Sequence, residues 1–265
     1  MDISLLFIPF IGCILLLLLH TYFGVHVLER GIIFVDLTLA QMISVGAAFA
    51  IYTGKEALQS TYGVLFAVIG ASILAYFRRI SKVVYIEAFI GVLYIFSFSA
   101  SILLLDRTPH GLEELKNILN GNILWITGKD LFTMFILYTI IGLLQFAYRK
   151  KFFALSKGED NSYLWEFLFF LSFALMLVNS IQIAGILQVF SFLIIPALIG
   201  KLLSSNTSGI LIRGWITGIL TSVAGMIISY KFDVSTSSLI VAFLSLVFFI
   251  ILGIKLRKSP SHIRY

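Results

Sequence analysis

Long apolar runs recur along this chain, and they decide what it can fold into. About 20 apolar residues make a helix long enough to cross a hydrocarbon core. On that rule the sequence predicts nine segments: 3–20, 32–52, 61–77, 84–105, 131–148, 164–180, 183–203, 209–230 and 237–255. Runs this continuous exclude a transmembrane barrel, whose strands alternate over about ten residues. A helix satisfies its own backbone hydrogen bonds inside lipid. The expected fold is therefore all-α, a polytopic membrane helical bundle of eight or nine transmembrane segments forming one domain, 1–265. A hydrophobic share of 60% against 12% charged residues leaves too little polar surface for a soluble domain of this size. The pair 164–180 and 183–203 has two readings: two spans with a tight turn at Asn179–Gln182, or one span plus a re-entrant piece.

The placement of charge sets the orientation. The opening MDISLL lacks a basic signal-peptide region, so 3–20 is read as a retained span. With the N-terminus outside, the inner regions hold Arg30, Arg78, Arg79, Lys82, Arg149, Lys150, Lys151, Lys157, Lys201, Arg213, Lys255, Arg257, Lys258 and Arg264. The outer regions hold Lys55, Arg107, Lys116, Lys129 and Lys231. Basic residues favour the cytoplasmic side, so this distribution predicts an outer N-terminus, a cytoplasmic C-terminus and an odd number of crossings. The net charge of +6 reflects that bias and contact with lipid; no nucleic-acid partner is expected.

The two longest connections differ in character. In 106–130, Pro109 and Gly111 precede Leu112, Leu115, Ile118, Leu119 and Ile123, spaced for an amphipathic helix on the outer surface. In 149–163, the segment KKFFALSKG sets two aromatics and a leucine between cations. It suits a snorkelling anchor or a short helix docking into a partner's groove.

Polar groups inside lipid-length segments more often line a pathway or a packed interface than face lipid. The stretch from His20 to Gly46 concentrates them. His20, His26, Glu29 and Arg30 occupy a polar break, and Asp36, Thr38, Gln41 and Ser44 follow inside the second run. Thr38, Gln41 and Ser44 step by three and form a polar wedge, and Asp36 lies off it, about a turn from the inner end. Gln41 can offer a carbonyl oxygen to a passing cation; Thr38 and Ser44 suit hydrogen bonds within the bundle. Glu87 opens the fourth segment near the inner face. Asp233 precedes the last span, where it can cap that helix or draw cations to a pathway mouth. Gly214, Gly218 and Ser222 recur at four-residue steps and predict close helix packing, and Pro196 predicts a kink in 183–203.

Much soluble-type chemistry is absent. No Gly-Lys pair sits in a phosphate-binding GxxxxGK loop, because Phe49, Ile123 or Ile195 stands where the first glycine belongs. HExxH and GxSxG motifs are also missing. The single cysteine, Cys13, precludes an intrachain disulfide and a cysteine-rich metal site. No bound cofactor and no ATPase site are expected on this chain.

Four stretches together resemble the membrane permease subunits of ATP-binding-cassette importers for zinc, manganese or iron, the ABC-3 family. They are GVHVLERGIIFVDLTLAQMISVGAAFA, EAFIGVLYIFSFSASILLL with HGLEELKNILNGNIL, AGILQVFSFLIIPALIG, and SYKFDVSTSSLIV. The resemblance implies a homodimeric pore in the plasma (inner) membrane. It implies a pair of cytoplasmic ATPase subunits and an extracytoplasmic metal-binding protein as partners, and a divalent metal as cargo. Asp36, Gln41, Glu87 and Asp233 stand as the candidate metal-pathway residues of such a pore. The resemblance also gives Lys151, Phe152, Phe153, Leu155, Lys157 and Gly158 the role of coupling to the ATPase, through which ATP binding would shift the pore between outward- and inward-open states. The chain departs from the family at one point. Many members carry a histidine in the second span with an aspartate four residues before it; here those positions are Gln41 and Leu37, and Asp36 is one step off. Two other classes fit less of the sequence: a self-contained secondary carrier, which needs coupling carboxylates in mid-membrane, and an intramembrane enzyme or assembly protein.

Overall fold

A computed structural model of the chain describes residues 6–258, apart from 109, 110, 122 and 161. The described residues form helices and no strands. The long helices are α1 (Phe7–Arg30), α2 (Val35–Tyr52), α3 (Gln59–Ala75), α5 (Ile86–Leu105), α7 (Gly128–Ala147), α9 (Tyr163–Leu203), α10 (Thr207–Phe232) and α11 (Thr236–Lys258). Three short ones connect them: α4 (Phe77–Ile80), α6 (Gly111–Asn120) and α8 (Arg149–Ser156). Eight helices are thus long and apolar enough to cross a membrane.

The 41-residue α9 would measure about 60 Å if straight, twice a hydrocarbon core of about 30 Å. It is folded back on itself. Near its start Glu166 meets Arg30 at 2.6 Å, and near its end Lys201 meets Glu29 at 2.8 Å. Neighbouring residues of α1 therefore hold both ends of α9 on one face. The reversal lies at Gly185, the residue with non-helical backbone inside α9 (φ 75, ψ 163). A side chain there would collide with the Asn120–Gly121 backbone, its Cβ falling 2.3 Å from the Asn120 carbonyl carbon. Left-handed φ and this close approach both demand glycine. The chain thus makes nine crossings among the described residues. The turn expected at Asn179–Gln182 lies instead at Gly185, and at Pro196, where a kink was expected, the backbone dihedrals stay helical.

The first span also differs from the sequence reading. The polar stretch from His20 to Arg30 is not a break; α1 continues through it to Gly31, whose left-handed backbone ends the helix. His20 and His26 are fully buried, and each bonds a serine hydroxyl of another helix through one ring nitrogen. His20 bonds the Leu16 carbonyl through Nδ1 at 2.8 Å and the Ser180 hydroxyl through Nε2 at 3.2 Å. His26 Nδ1 meets the Ser156 hydroxyl at 2.8 Å. His110 and His262 lie outside the described residues.

Two faces result. Arg30, Glu166, Lys201 and α8 gather at one end of the bundle, here the basic face. Gly121, Gly185, Ser60 and Gln182 gather at the other; Gln182 Nε2 donates to Ser60 Oγ at 2.9 Å. α1 starts at this far face and α11 ends at the basic face, where the Lys255 ammonium donates to the Leu202 carbonyl. The amphipathic helix forms as α6, with Ile118 and Leu119 packed on the core; the side chains of Leu112 and Leu115 are outside the described residues. The core runs along α1 and α9, with Phe23, Phe169, Phe170, Phe173 and Phe192 fully buried. The small-residue stripe of α10 packs as its spacing requires: a Cβ on Gly214 would lie 2.6 Å from the Pro196 oxygen, and one on Gly218 2.4 Å from Leu17 Cδ2.

Candidate functional site

The polar wedge of α2 lies between α3, α5 and α9. Thr38 Oγ1 donates to the Ile90 carbonyl of α5 at 3.0 Å, which ties the first turns of the two helices together. Ser44 Oγ turns back to the Ala40 carbonyl at 2.9 Å. Both therefore serve packing. Asp36 and Gln41 differ. Each is 1% exposed, and neither Asp36 Oδ1 nor Gln41 Oε1 has a hydrogen-bond partner. Leaving a buried polar atom unpaired costs about 1–3 kcal/mol, more for a charged group. α2 thus places two acceptor oxygens, about five residues or 7–8 Å apart along its axis, where this chain supplies no donor.

Glu87 stands in the first turn of α5, beside this end of α2. Its Oε1 accepts the Ile33 amide at 2.7 Å, so it fastens the α1–α2 connection to α5. Its Oε2 is buried and unpaired. Asp233 lies on the far face and joins none of these. It ends α10 in the left-handed region (φ 52), with its amide donating to the Ser229 carbonyl, so it closes α10 rather than opening α11. The turn is held by Ser229, whose hydroxyl bonds both the Val234 carbonyl and the Thr236 hydroxyl. Asp233 also lines a cavity of about 710 Å³ with Leu6, Pro9, Trp125 and Tyr230. The four candidates therefore divide into three at the basic half and one at the opposite mouth. Among the described residues no group of three or more His, Cys, Asp or Glu side chains is close enough to hold a metal ion.

The segment 151–158 forms α8 and its C-terminal turn. Phe152 and Leu155 are fully buried, and Phe152 packs on Trp165 and Phe169 of α9 at ring distances of 5.8 and 6.0 Å. Phe153 is half-buried against His26, 4.4 Å between centroids. Only Lys151, Lys157 and Gly158 of the named residues are exposed, and Gly158 adopts φ 79 as it leaves the helix. The apolar residues of this element hold it to its own chain, and the surface it offers is cationic.

Sequence reasoning missed what holds α8 in place. The Arg30 guanidinium donates through Nε to the Ser156 hydroxyl at 3.0 Å and through a terminal nitrogen to Glu166 at 2.6 Å, while lying 3.9 Å over the Phe169 ring. One arginine thus joins α1, α8 and the first half of α9. The available signal was a pair of opposite charges, Arg30 and Glu166, each beside an apolar run at the same end of the bundle.

The family model described as the ABC 3 transport family matches residues 2–255. A manganese transport system membrane protein from Synechocystis is 31% identical over 172 residues, which is 62% of this chain and 56% of that protein's length. A Chlamydia pneumoniae protein named for metal transport is 25% identical over 90% of this chain and 85% of its own. Among solved structures, PsaBC from Streptococcus pneumoniae superposes with a TM-score of 0.77 at 21% identity, covering 95% of this chain and 92% of that one. A metal-chelate type ABC transporter in an inward-facing conformation gives 0.64 at 20% identity, covering 95% and 85%. At that identity the two structures speak for the fold alone. The nine-crossing bundle and a family match that runs almost from end to end agree: this chain is a multi-pass membrane protein of the ABC 3 transport family.

Proposed function

We propose that this chain is the pore subunit of an ATP-binding-cassette importer that carries a divalent metal ion into the cytoplasm. Two copies form the pathway, a separate ATPase pair docks at the basic face, and an extracytoplasmic protein delivers the metal at the far face. ATP hydrolysis belongs to the partner chain. The observation that carries this reading is the pair of buried, unpaired oxygens on α2, Asp36 Oδ1 and Gln41 Oε1, within a member of this family. Oxygen donors suit hard and borderline cations, and an amide oxygen holds an ion loosely enough to release it. Relatives named for manganese favour manganese among the family's metals.

The test is uptake of labelled manganese, with iron and zinc in parallel, by cells making this chain with and without its ATPase. Accumulation only when both are present supports the reading. Accumulation by this chain alone would establish a self-contained carrier instead.

A further inference from the structure

An apolar crevice of about 700 Å³ opens on the outside of the bundle between α1, α7, α8 and α10. Leu18, Phe135, Phe146 and Leu211 line its length. From Phe135 to Gln145 along α7 is roughly 15 Å at 1.5 Å per residue, the hydrocarbon depth of one leaflet. Its basic-face end differs in chemistry. Arg149 and the first turn of α10, Thr207 and Ser208, line it there, and no acidic residue lines it anywhere. The Arg149 guanidinium rests 4.7 Å from the Phe146 ring and has no ion-pair partner among the described residues. The first turn of a helix carries amides that no intrahelical carbonyl accepts, and here the Asn206 side chain takes that of Gly209. One turn below Arg149, Gln145 lines the crevice at 2% exposure. Its Nε2 donates to Ser172 Oγ at 2.9 Å, while its Oε1 has no partner.

We propose that this crevice holds an acyl chain of an anionic phospholipid from the leaflet at the basic face, with the lipid phosphate against Arg149 and the start of α10. The length fits one chain, the single lining charge is cationic, and a phosphate suits both a guanidinium and a helix N-terminus. Gln145 Oε1 adds an acceptor at the boundary between headgroup and chain, which a lipid with headgroup hydroxyls can satisfy. Phosphatidylglycerol has the required charge, chain and hydroxyls. The lipid would fill a gap beside α8, so its presence bears on how firmly that helix is seated.

The full chain is purified in mild detergent and offered phosphatidylglycerol or phosphatidylcholine of equal chain length, with bound lipid read by native mass spectrometry and stability by thermal melting. The expected result is at least fivefold greater retention of phosphatidylglycerol. Arg149→Gln should remove that preference, and Lys150→Gln, next to it in sequence but not lining the crevice, should keep it. Gly142→Leu, at a crevice position where an added Cβ meets nothing within 4 Å, should block the chain without disturbing the fold and lower retention of both lipids. Equal retention of the two lipids overturns the proposal, as does an unchanged preference in Arg149→Gln. So does stabilisation by inorganic phosphate equal to that by phosphatidylglycerol, which would mean an anion site without a chain. Efficient cross-linking of Gly142→Cys between two copies would give the crevice to a second subunit and likewise overturn it.

Discussion

Arg30 and Glu166 form an ion pair at 2.6 Å in which each side chain is only 1% exposed. The pair joins the end of α1 to the start of α9, and the same guanidinium holds the Ser156 hydroxyl of α8. Two charges taken out of water are tolerated because hydrogen bonds and the Phe169 face surround the cation. Beside it, Glu29 holds Lys201 at the other end of α9. Two successive residues of α1 thus anchor both ends of a helical hairpin.

Removing one partner should cost more than removing both. Arg30→Ala or Glu166→Ala leaves a buried charge and should lose about 3–5 kcal/mol, whereas a double change to Met and Leu should be milder than either single change. Thermal melting of the purified variants checks the order. A double variant less stable than either single one would contradict it.

Gly185 should tolerate no side chain. Gly185→Ala sets a Cβ against the Asn120 carbonyl and forces a left-handed φ, so folded yield should fall sharply. Gly142→Ala, in open space, should fold normally. The readout is the fraction of monodisperse protein on size-exclusion chromatography.

Gln41→Leu should lower metal uptake about tenfold, roughly 1.4 kcal/mol, at unchanged expression and with a melting temperature no lower than the parent's, since it removes an unpaired buried oxygen. Thr38→Val should act otherwise: it loses the bond to Ile90 and should reduce stability by about 1 kcal/mol with little change in uptake per folded protein. Uptake and melting measured on the same preparations separate the two roles.

Within α8, exposed and buried positions should behave differently. Lys151→Glu with Lys157→Glu should weaken copurification of the ATPase while moving stability by no more than about 0.5 kcal/mol. Phe152→Asp should instead unfold the element, because Phe152 packs between Trp165 and Phe169. A loss of ATPase binding in Phe152→Asp alone would therefore not locate the interface.

A cysteine placed at Lys157 should react with an impermeant reagent only from the cytoplasm, and one at Lys55 only from outside. Native Cys13 is fully buried and should give little background. Labelling of Lys157→Cys from outside would invert the orientation inferred from charge.

The apolar runs were legible in sequence because each span must satisfy its backbone alone and hide polar groups over about 20 residues. Spans such as 32–52 and 209–230 accordingly match helices within a few residues. The amphipathic helix α6 was legible from the three- and four-residue spacing of its apolar positions. The end of the first span was not. His20, His26 and Arg30 read as a polar break because their partners, Ser180, Ser156 and Glu166, lie more than a hundred residues away in the chain. The burial of Phe152 was not legible for the same reason: the rings against it, Trp165 and Phe169, belong to α9.

Composition and span length by themselves determined that this chain lives in lipid as a helical bundle, since hydrocarbon permits few other solutions to the backbone's hydrogen bonding. The run of basic residues supplied an orientation to test. Tertiary structure alone decided which polar groups are at rest and which are not. Thr38, Ser44 and His20 find partners, whereas Asp36 and Gln41 keep an oxygen unanswered. That distinction depends on which atoms meet across helices, and a linear pattern carries no record of such meetings.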